Sequence, residues 1–212
     1  MAEENEKQGP GRPRDLEKRA AILDAARALF FTHGVEAVAI EAVAATAEVS
    51  KVTIYNQFGD KTGLFEAVVR READRIVAVF NGLELDGSSL AERLNAWGVC
   101  LMQFILEKSL CAFDRLLSTE AYRHPCLARR FFDAGPARMR ELLANVLVEA
   151  SAREEIVLED PQQAAEDLLM LWQGFLPMEA RLGVRIITQQ DIETRVRRGT
   201  GLFLKAVTHH SA

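Results

Sequence analysis

The sequence predicts an all-α protein, and three observations support this fold class. Apolar residues recur three or four positions apart along nearly the whole chain, as at Ile22, Ala26 and Leu29, which is the spacing of one helix face. No segment shows the two-residue alternation that is typical of a half-buried strand. Glycine, proline and small polar residues separate the periodic segments, at positions where helices are expected to begin and end.

The composition is that of a globular chain of one or two domains, with 212 residues, 49% hydrophobic and 27% charged. A net charge of -5 excludes a protein that is basic over its whole surface, although a nucleic-acid site needs only a local basic face. Cys100, Cys111 and Cys126 form no CxxC pair, so neither a disulfide framework nor a zinc module is predicted. With an acidic N-terminus and no apolar run of about 18 residues, we expect a cytoplasmic protein without a membrane segment.

The first predicted elements are an arm and two helices. Residues 1–15 contain Gly and Pro and are predicted to form a flexible N-terminal arm. An amphipathic stripe then predicts a helix from Leu16 to about His33, and Gly34 is placed to end it. A second, short helix fits the segment from Ile40 to Ala47.

A third helix is predicted from Lys51 to Phe58. Ser50 precedes it and is a favourable N-cap residue. Ile54 and Phe58 lie one turn apart and form its inner face. The second and third helices are joined by a tight turn, so residues 16–60 are predicted to form a three-helix, helix-turn-helix domain.

Residues 61–212 are predicted to form a larger helical domain. Asp60 offers an N-cap for its first helix. The segment from Ala164 to Leu176 is apolar nearly all round, which predicts burial on more than one side. The final helix, from about Gln190 to Val207, carries one apolar stripe, which consists of Ile192, Val196, Gly199 and Phe203.

Three segments in the first third of the chain together resemble the DNA-binding domain of the TetR family of bacterial transcriptional regulators. They are GRPR at 11–14, ILDAARALFFTHG at 22–34 and VAATAEVSKVTIYNQFGDKTGLFEAVV at 43–69. The resemblance is specific because it fixes several residue types in order across four helices. It implies an all-α homodimer whose helix-turn-helix reads double-stranded operator DNA and whose C-terminal domain binds a small effector that releases the DNA.

On this resemblance, the helix from Lys51 to Phe58 is the reading helix. A helix in the major groove needs hydrogen-bond donors and methyl groups on its outer side. Lys51 is a candidate for guanine O6 and N7, and Asn56 is a candidate for adenine. Val52 or the methyl group of Thr53 is a candidate for a thymine methyl group.

A second group of candidates contacts the DNA backbone or the minor groove. Tyr55, Gln57 and Lys61 are expected to donate to phosphates. Ser50 is primarily a cap and can also touch a phosphate. The remaining candidates, on the arm, are Arg12 and Arg14, for which minor-groove insertion and a disordered tail are equally good explanations.

Three positions depart from the family pattern. Glu48 replaces the usual turn glycine, and a left-handed non-glycine residue costs about 1 kcal/mol. Ala39 replaces a capping Ser or Thr, which removes a contribution of about 1 kcal/mol. Glu41 would repel phosphate unless it accepts from a cytosine amine. An alternative is therefore a scaffold protein that has lost DNA binding, although Lys51, Tyr55 and Lys61 argue against it.

Enzymatic activity is not predicted. The four histidines are scattered along the chain, and no nucleophile, base and acid occur in a recognisable pattern. No metal-ligand spacing is visible, so we expect neither a metal nor another cofactor.

The effector site is predicted only as a set of residues. Aromatic and soft side chains on the C-terminal helices are candidates for the wall of a cavity that binds an apolar molecule, and core packing explains them equally well. The set consists of Trp97, Cys100, Phe104, Phe113, Trp172, Phe175 and Met178.

The homodimer is predicted to form through the last two helices, from about Asp160 to Arg181 and from about Gln190 to Val207. Two copies of such a pair make a four-helix interface about a two-fold axis. The stripe of Ile192, Val196, Gly199 and Phe203 is the expected contact surface, and completion of the monomer core is the alternative.

Overall fold

The computed structural model describes residues 12–82 and 87–208, and for residues 12–14 and 80 it describes the backbone alone. These residues form eleven α-helices and no strand, which confirms the all-α fold class. The helices are α1 (Arg12–His33), α2 (Ile40–Thr46), α3 (Lys51–Phe58), α4 (Lys61–Asn81), α5 (Leu90–Ile105), α6 (Lys108–Arg123), α7 (Pro125–Ala134), α8 (Pro136–Ala152), α9 (Pro161–Gln173), α10 (Leu176–Leu182) and α11 (Gln189–Thr208).

The first helix begins earlier than the sequence predicted. Helix α1 starts at Arg12 instead of Leu16, so the backbone of Arg12 and Arg14 is helical and does not belong to an extended arm. The reason is that proline is well tolerated in the first turn of a helix, where its missing N–H has no intrahelical partner to lose. Asp15 also lies in this turn and interacts favourably with the helix dipole. Residues 1–11 of the predicted arm lie outside the described residues.

Two hydrophobic cores meet on helix α4. Its first half contributes Leu64, Phe65, Val68 and Val69 to a core formed with α1, α2 and α3. Helices α6 and α7 complete this N-terminal core with Phe113, Leu117, Leu127 and Ala134. The second half of α4 contributes Ala73 and Ile76 to the C-terminal core. The predicted domain boundary at residue 60 thus coincides with the start of a helix that both cores share.

The apolar stripe of α11 faces the core of its own subunit. Helix α11 packs against α5 and α9. Its four stripe residues, Ile192, Val196, Gly199 and Phe203, are all buried there. A Cβ atom at Gly199 would lie 2.9 Å from the carbonyl oxygen of Leu171, so glycine permits the close approach of α9 and α11. The expectation that this stripe forms the subunit interface is therefore wrong, because each subunit buries it alone.

A buried hydrogen bond joins the same two helices. The indole Nε1 of Trp172 on α9 donates to Oγ1 of Thr200 on α11 over 2.9 Å, and both residues are buried. The Trp172 ring stacks on Trp97 of α5, with ring centroids 6.0 Å apart. The hydrogen bond between Trp172 and Thr200 gives a partner to the polar side-chain atom that each of them buries in the core.

Replacement of Thr200 by Val is expected to lower the free energy of unfolding by about 1 to 3 kcal/mol, because it leaves the indole N–H of Trp172 buried without an acceptor. Thr194→Val on the exposed side of the same helix is the matched control, expected to change stability by less than about 0.5 kcal/mol. Chemical denaturation monitored by circular dichroism measures both. Equal effects of the two substitutions would contradict the importance of the buried hydrogen bond.

Candidate functional site

Helix α3 presents a mixed polar and apolar face to solvent. Lys51, Val52, Tyr55 and Asn56 are exposed, and Val52 retains 60% of its accessible surface. Ile54 lies beneath them and is 1% exposed. Exposed methyl, phenol, amide and ammonium groups side by side on one short helix have the chemistry required to contact base edges and phosphates in a major groove.

The turn between α2 and α3 has a left-handed residue. Glu48 has φ 54°, so a non-glycine residue stands where glycine is favoured, in agreement with the prediction of a strained turn. The backbone N–H of Val49 donates to the carbonyl oxygen of Ala44 over 3.0 Å and closes the end of α2. At the other end of the turn, Oγ of Ser50 accepts from the backbone N–H of Thr53 over 3.1 Å, which confirms the predicted cap. Ala39 provides no side-chain cap for α2.

Lys51 contacts an acidic side chain of α2. Its Nζ lies 3.4 Å from Oε1 of Glu41, and both side chains are more than half exposed. The pKa of the Glu41 carboxyl is lowered, first by a hydrogen bond from its own backbone N–H and second by Lys51. An exposed pair of this kind contributes little to stability, so Lys51 can leave Glu41 for another partner at small cost.

Three other predicted DNA contacts make bonds inside the domain. Nε2 of Gln57 donates to Oδ1 of Asp15 on α1 over 2.8 Å. Nζ of Lys61 donates over 2.9 Å to the carbonyl oxygen of Glu36 in the loop between α1 and α2. Thr53 is half-buried, and its Oγ1 lies 2.9 Å from the hydroxyl of Ser50. These three side chains therefore link parts of the domain. The side chains of Arg12 and Arg14 are not among those that the structure describes.

A cavity of about 480 Å³ lies between α4, α5, α6, α8 and α9, with further contributions from neighbouring helices. This volume is within the range of sites for small organic ligands. Most of the wall is apolar or aromatic. Among the lining residues are Ile76, Leu101, Phe104, Leu110, Phe131, Met139 and Leu169.

Of the residues predicted to line an effector site, Phe104 alone lies in the wall of this cavity. Trp97 and Trp172 stack in the packed core, and Phe113 stacks on Phe31 in the N-terminal core. Cys100 faces a separate shallow groove beside Val196. The remaining two, Phe175 and Met178, are exposed. Helical periodicity identifies apolar faces, but it does not distinguish a filled core from the wall of a cavity.

Sequence reasoning missed a buried carboxylate in the cavity wall. Glu72 is 3% exposed, and its Oε2 lies 2.9 Å from Nε of Arg27 on α1 and 2.9 Å from Nη1 of Arg75. Its Oε1 is buried and has no hydrogen-bond partner among the described residues, which costs about 1 to 3 kcal/mol for such a group. The signal was present in the sequence, because Glu72 lies one turn from both Val68 and Ile76 within the apolar stripe of α4.

Arg27 connects this carboxylate to a second one. Its Nη2 lies 3.1 Å from Oε1 of Glu107 in the connection between α5 and α6. Burial acts to lower the pKa of Arg27, but the hydrogen bonds and charges of Glu72 and Glu107 outweigh it and raise the pKa. The guanidinium is therefore held as a cation between α1, α4 and the start of α6.

Helix α6 also touches both the cavity and the helix-turn-helix. Leu110, Cys111 and Asp114 near its start lie in the cavity wall. Near its end, the Glu120 carboxylate accepts from the backbone N–H groups of Val35 and Glu36, over 3.0 and 3.2 Å, in the loop before α2. A molecule bound in the cavity would therefore lie against two helices, α4 and α6, that directly contact the predicted DNA-reading unit, residues 16–60.

The exposed face of α3, its tight connection to α2 and the ligand-sized cavity define the class of the protein, a helix-turn-helix DNA-binding regulator of transcription. Residues 22–68 match the model of the bacterial regulatory proteins of the tetR family. Residues 92–206 match the model of the C-terminal domain of AefR-like transcriptional repressors. The chain belongs to the TetR family of bacterial transcriptional regulators.

Individual relatives agree with this assignment. The HTH-type transcriptional repressor KstR of Mycobacterium tuberculosis is 32% identical over 161 residues, which cover 74% of this chain and 68% of KstR. The solved structure of the flavonoid-responsive regulator FrrA is 31% identical, with a TM-score of 0.75, and the match covers 92% of this chain and 98% of FrrA. A TetR regulator from Agrobacterium tumefaciens, 23% identical with a TM-score of 0.66 over 93% of this chain and 95% of that one, shares the fold.

Within residues 12–82 and 87–208, no single helix is both long enough and apolar enough to cross a membrane. Helices α5 and α6 reach that length and composition only when taken together, and they are bent by 64° relative to each other.

Glu48→Gly is expected to raise the free energy of unfolding by about 1 kcal/mol, because glycine removes the strain of a left-handed backbone. Glu154, with φ 59° in the loop after α8, is the matched control, and Glu154→Gly is expected to stabilise the chain similarly. Denaturant titration measures both. DNA affinity is expected to change with Glu48→Gly alone. Stabilisation at position 154 without stabilisation at position 48 would show that the turn before α3 is unstrained.

Proposed function

We propose that this regulator is a homodimeric repressor that binds a near-palindromic operator through α3 and is released by a small, mainly apolar effector in the cavity between α4, α5, α6, α8 and α9. The observation that carries the proposal is the pair of helices, α4 and α6, that line the cavity and contact the reading unit. The proposal assigns the chain no catalytic step and no cofactor.

The names of similar proteins support the two halves of this proposal. KstR and ComR, which match parts of this chain, are HTH-type transcriptional repressors. FrrA is a flavonoid-responsive regulator, so a protein with this fold and 31% identity responds to an aromatic small molecule. An apolar or aromatic effector suits the largely apolar wall of the cavity.

Each exposed residue of α3 is assigned a role in DNA recognition. Lys51 donates to guanine, Asn56 pairs with adenine, and Val52 contacts a thymine methyl group. Tyr55 donates to a phosphate. Four other side chains support the helix through bonds inside the domain, namely Gln57, Lys61, Ser50 and Thr53. Of these, Gln57 and Lys61 can exchange their present partners for phosphates.

The DNA-reading assignment is tested by selecting duplexes from a random library at low salt. We expect an enriched near-palindrome whose affinity falls steeply as salt is added, because phosphate contacts release counterions. Lys51→Ala and Asn56→Ala are each expected to relax discrimination at particular base pairs by about 1 to 3 kcal/mol. Fluorescence anisotropy with single-base variants of the enriched duplex measures this loss.

The matched controls are Lys108→Ala and Asn145→Ala, which remove the same side-chain types from exposed positions on α6 and α8. Both are expected to leave base discrimination unchanged. A selection that enriches no motif would overturn the regulator assignment of α3 and favour a scaffold that does not bind specific DNA.

The homodimer is assigned to the outer surface of α9, α10 and α11. Within residues 170–202, a group of large apolar side chains is exposed in the single subunit, and an exposed apolar patch marks an interaction surface. The group consists of Phe175, Met178, Leu182, Val184, Ile186, Leu202 and Met170, of which Met170 also lines the cavity. Gly201 is exposed beside Leu202, and a Cβ atom there would have no atom within 4 Å, so another helix can approach closely. A two-fold axis at this surface would present two α3 helices about one DNA turn, ~34 Å, apart.

Leu202→Arg is expected to convert the dimer to a folded monomer, because it places an unpaired charge in the proposed interface. Tyr122→Arg is the matched control, since Tyr122 on α6 is 91% exposed and lies outside this surface. Light scattering measures the mass of each variant, and circular dichroism verifies folding. A Leu202→Arg variant that stays dimeric, or a monomeric wild type at micromolar concentration, would refute this interface.

A further inference from the structure

The cavity wall contains a buried acceptor that the protein leaves unused. Oε1 of Glu72 has no hydrogen-bond partner among the described residues, whereas Oε2 of the same carboxylate has two guanidinium groups within 2.9 Å. Buried carboxylate oxygens in folded proteins are nearly always paired. A carboxylate that lines a cavity can obtain the missing donor from a molecule bound in that cavity.

The other charged groups at the wall are already paired with each other. Oδ2 of Asp114 lies 2.8 Å from Nη1 of Arg181, and Oε2 of Glu166 lies 2.9 Å from Nη1 of Arg140. Among the described lining residues, the second buried atom without a partner is Nε of Arg140, which is a donor. The wall thus contains one unpartnered acceptor and one unpartnered donor in largely apolar surroundings. Both atoms are buried within the wall, so a bound molecule reaches them when the side chains of Glu72 and Arg140 turn toward the cavity.

The charge around Glu72 favours a neutral ligand. Glu72 and Glu107 are balanced by Arg27 and Arg75, so this four-residue network carries no net charge. An ammonium group at Oε1 would lie near two guanidinium groups, and a carboxylate would lie beside the Glu72 carboxylate. A hydroxyl group meets neither repulsion and supplies the proton that Oε1 lacks.

We propose that the effector is a neutral, mainly apolar molecule with a hydroxyl group that donates to Oε1 of Glu72. This inference rests on the proposed function, because it specifies the ligand of the same cavity. An oxygen elsewhere on the ligand can accept from Nε of Arg140. Glu72 is then the residue that determines specificity for a hydroxylated ligand over its hydrocarbon analogue.

The same carboxylate connects the ligand to the reading unit. Glu72 on α4 is paired through Oε2 with Arg27 of α1. Helix α1 in turn holds Gln57 of α3 through Asp15. A ligand that draws the Glu72 carboxylate toward the cavity therefore changes the pairing of Arg27 and, through α1, the support of α3. Arg27 is a positioning residue, since it acts through Glu72 and does not touch the ligand.

Ligand selectivity is tested with pairs of probes that differ by one hydroxyl group. In the first pair, biphenyl is compared with para-phenylphenol, and in the others flavone is compared with each of its monohydroxy derivatives. Isothermal titration of the full chain measures their affinities. We expect the hydroxylated member of at least one pair to bind about ten- to a hundredfold more tightly, as for a hydrogen bond to a charged group. Glu72→Met removes the acceptor and is expected to abolish this preference, and Glu72→Gln, with a weaker neutral acceptor, to reduce it.

Glu66→Met is the matched control. Glu66 lies on the same helix and is also paired with two arginines, Arg70 and Arg130, but it does not line the cavity. This variant is expected to keep the full preference for the hydroxylated probe. Because the preference is measured first in the wild type, the inference can fail even if a Glu72 variant does not fold.

The coupling is tested by the effect of para-phenylphenol, or of the tightest hydroxyflavone, on affinity for the duplex enriched by selection. In the wild type we expect the ligand to weaken DNA binding about five- to a hundredfold. Arg27→Lys keeps the charge but loses the forked geometry, so we expect the variant to bind the ligand with unchanged selectivity and to show a smaller effect on DNA. Arg71→Lys is the control, since Arg71 makes another ion pair between α4 and α1, with Asp24 and not with Glu72.

The outcomes separate this inference from the proposed function. Equal binding of both members of every pair, with release of DNA, would overturn the role of Glu72 and leave the effector cavity intact. Tighter binding of para-phenylbenzylamine than of para-phenylphenol would overturn the neutral hydroxyl and indicate a cationic ligand. Binding with full hydroxyl preference but without any change in DNA affinity would support Glu72 as the acceptor and overturn the proposed release mechanism. If none of the probes bound, both the role of Glu72 and the proposed effector cavity would be refuted.

Discussion

The sharing of helix α4 between two hydrophobic cores determines how the rest of the molecule is arranged. Val68 and Val69 pack in the N-terminal core, and Ala73 and Ile76, one turn later, pack in the C-terminal core. Close-packed interiors resist small displacements of one element without a response from its neighbours. A shift of α4 at the cavity is therefore felt by α1 and α3 directly, with no flexible linker between them. Glu72 occupies the short interval between the two cores.

Several polar groups of the surface that is proposed to read DNA already have partners within the domain. Lys51 is paired with Glu41, Gln57 donates to Asp15, and Lys61 donates to backbone carbonyl groups in the loop between α1 and α2. Exposed pairs of this type are worth about 0 to 1 kcal/mol, so DNA can replace them without a large cost. On the proposed function, DNA binding therefore depends on the exchange of these partners more than on a strong positive field, in keeping with the net charge of -5.

Local chemistry made the helix-turn-helix predictable. The bounds of α3, the Ser50 cap and the left-handed Glu48 each depend on a few consecutive residues, and each agrees with the prediction. The start of α1 was missed because Pro13 suits both an arm and a first helical turn. The cavity and the α11 stripe depend on residues far apart in sequence. Val196 and Phe104 are both apolar helix residues, yet one fills the core and the other lines a cavity. Only the packing of other helices against them decides between these outcomes.

The positions of the two tryptophans have a consequence for spectroscopy. Trp97 and Trp172 are the two tryptophans of the chain, and both are stacked in the core between α5, α9 and α11, away from the walls of the cavity. Their emission is therefore shielded from water and from direct contact with a bound molecule. A change in the intrinsic fluorescence of this protein reports a rearrangement of these three helices, so emission can follow the protein's own conformational response separately from ligand occupancy.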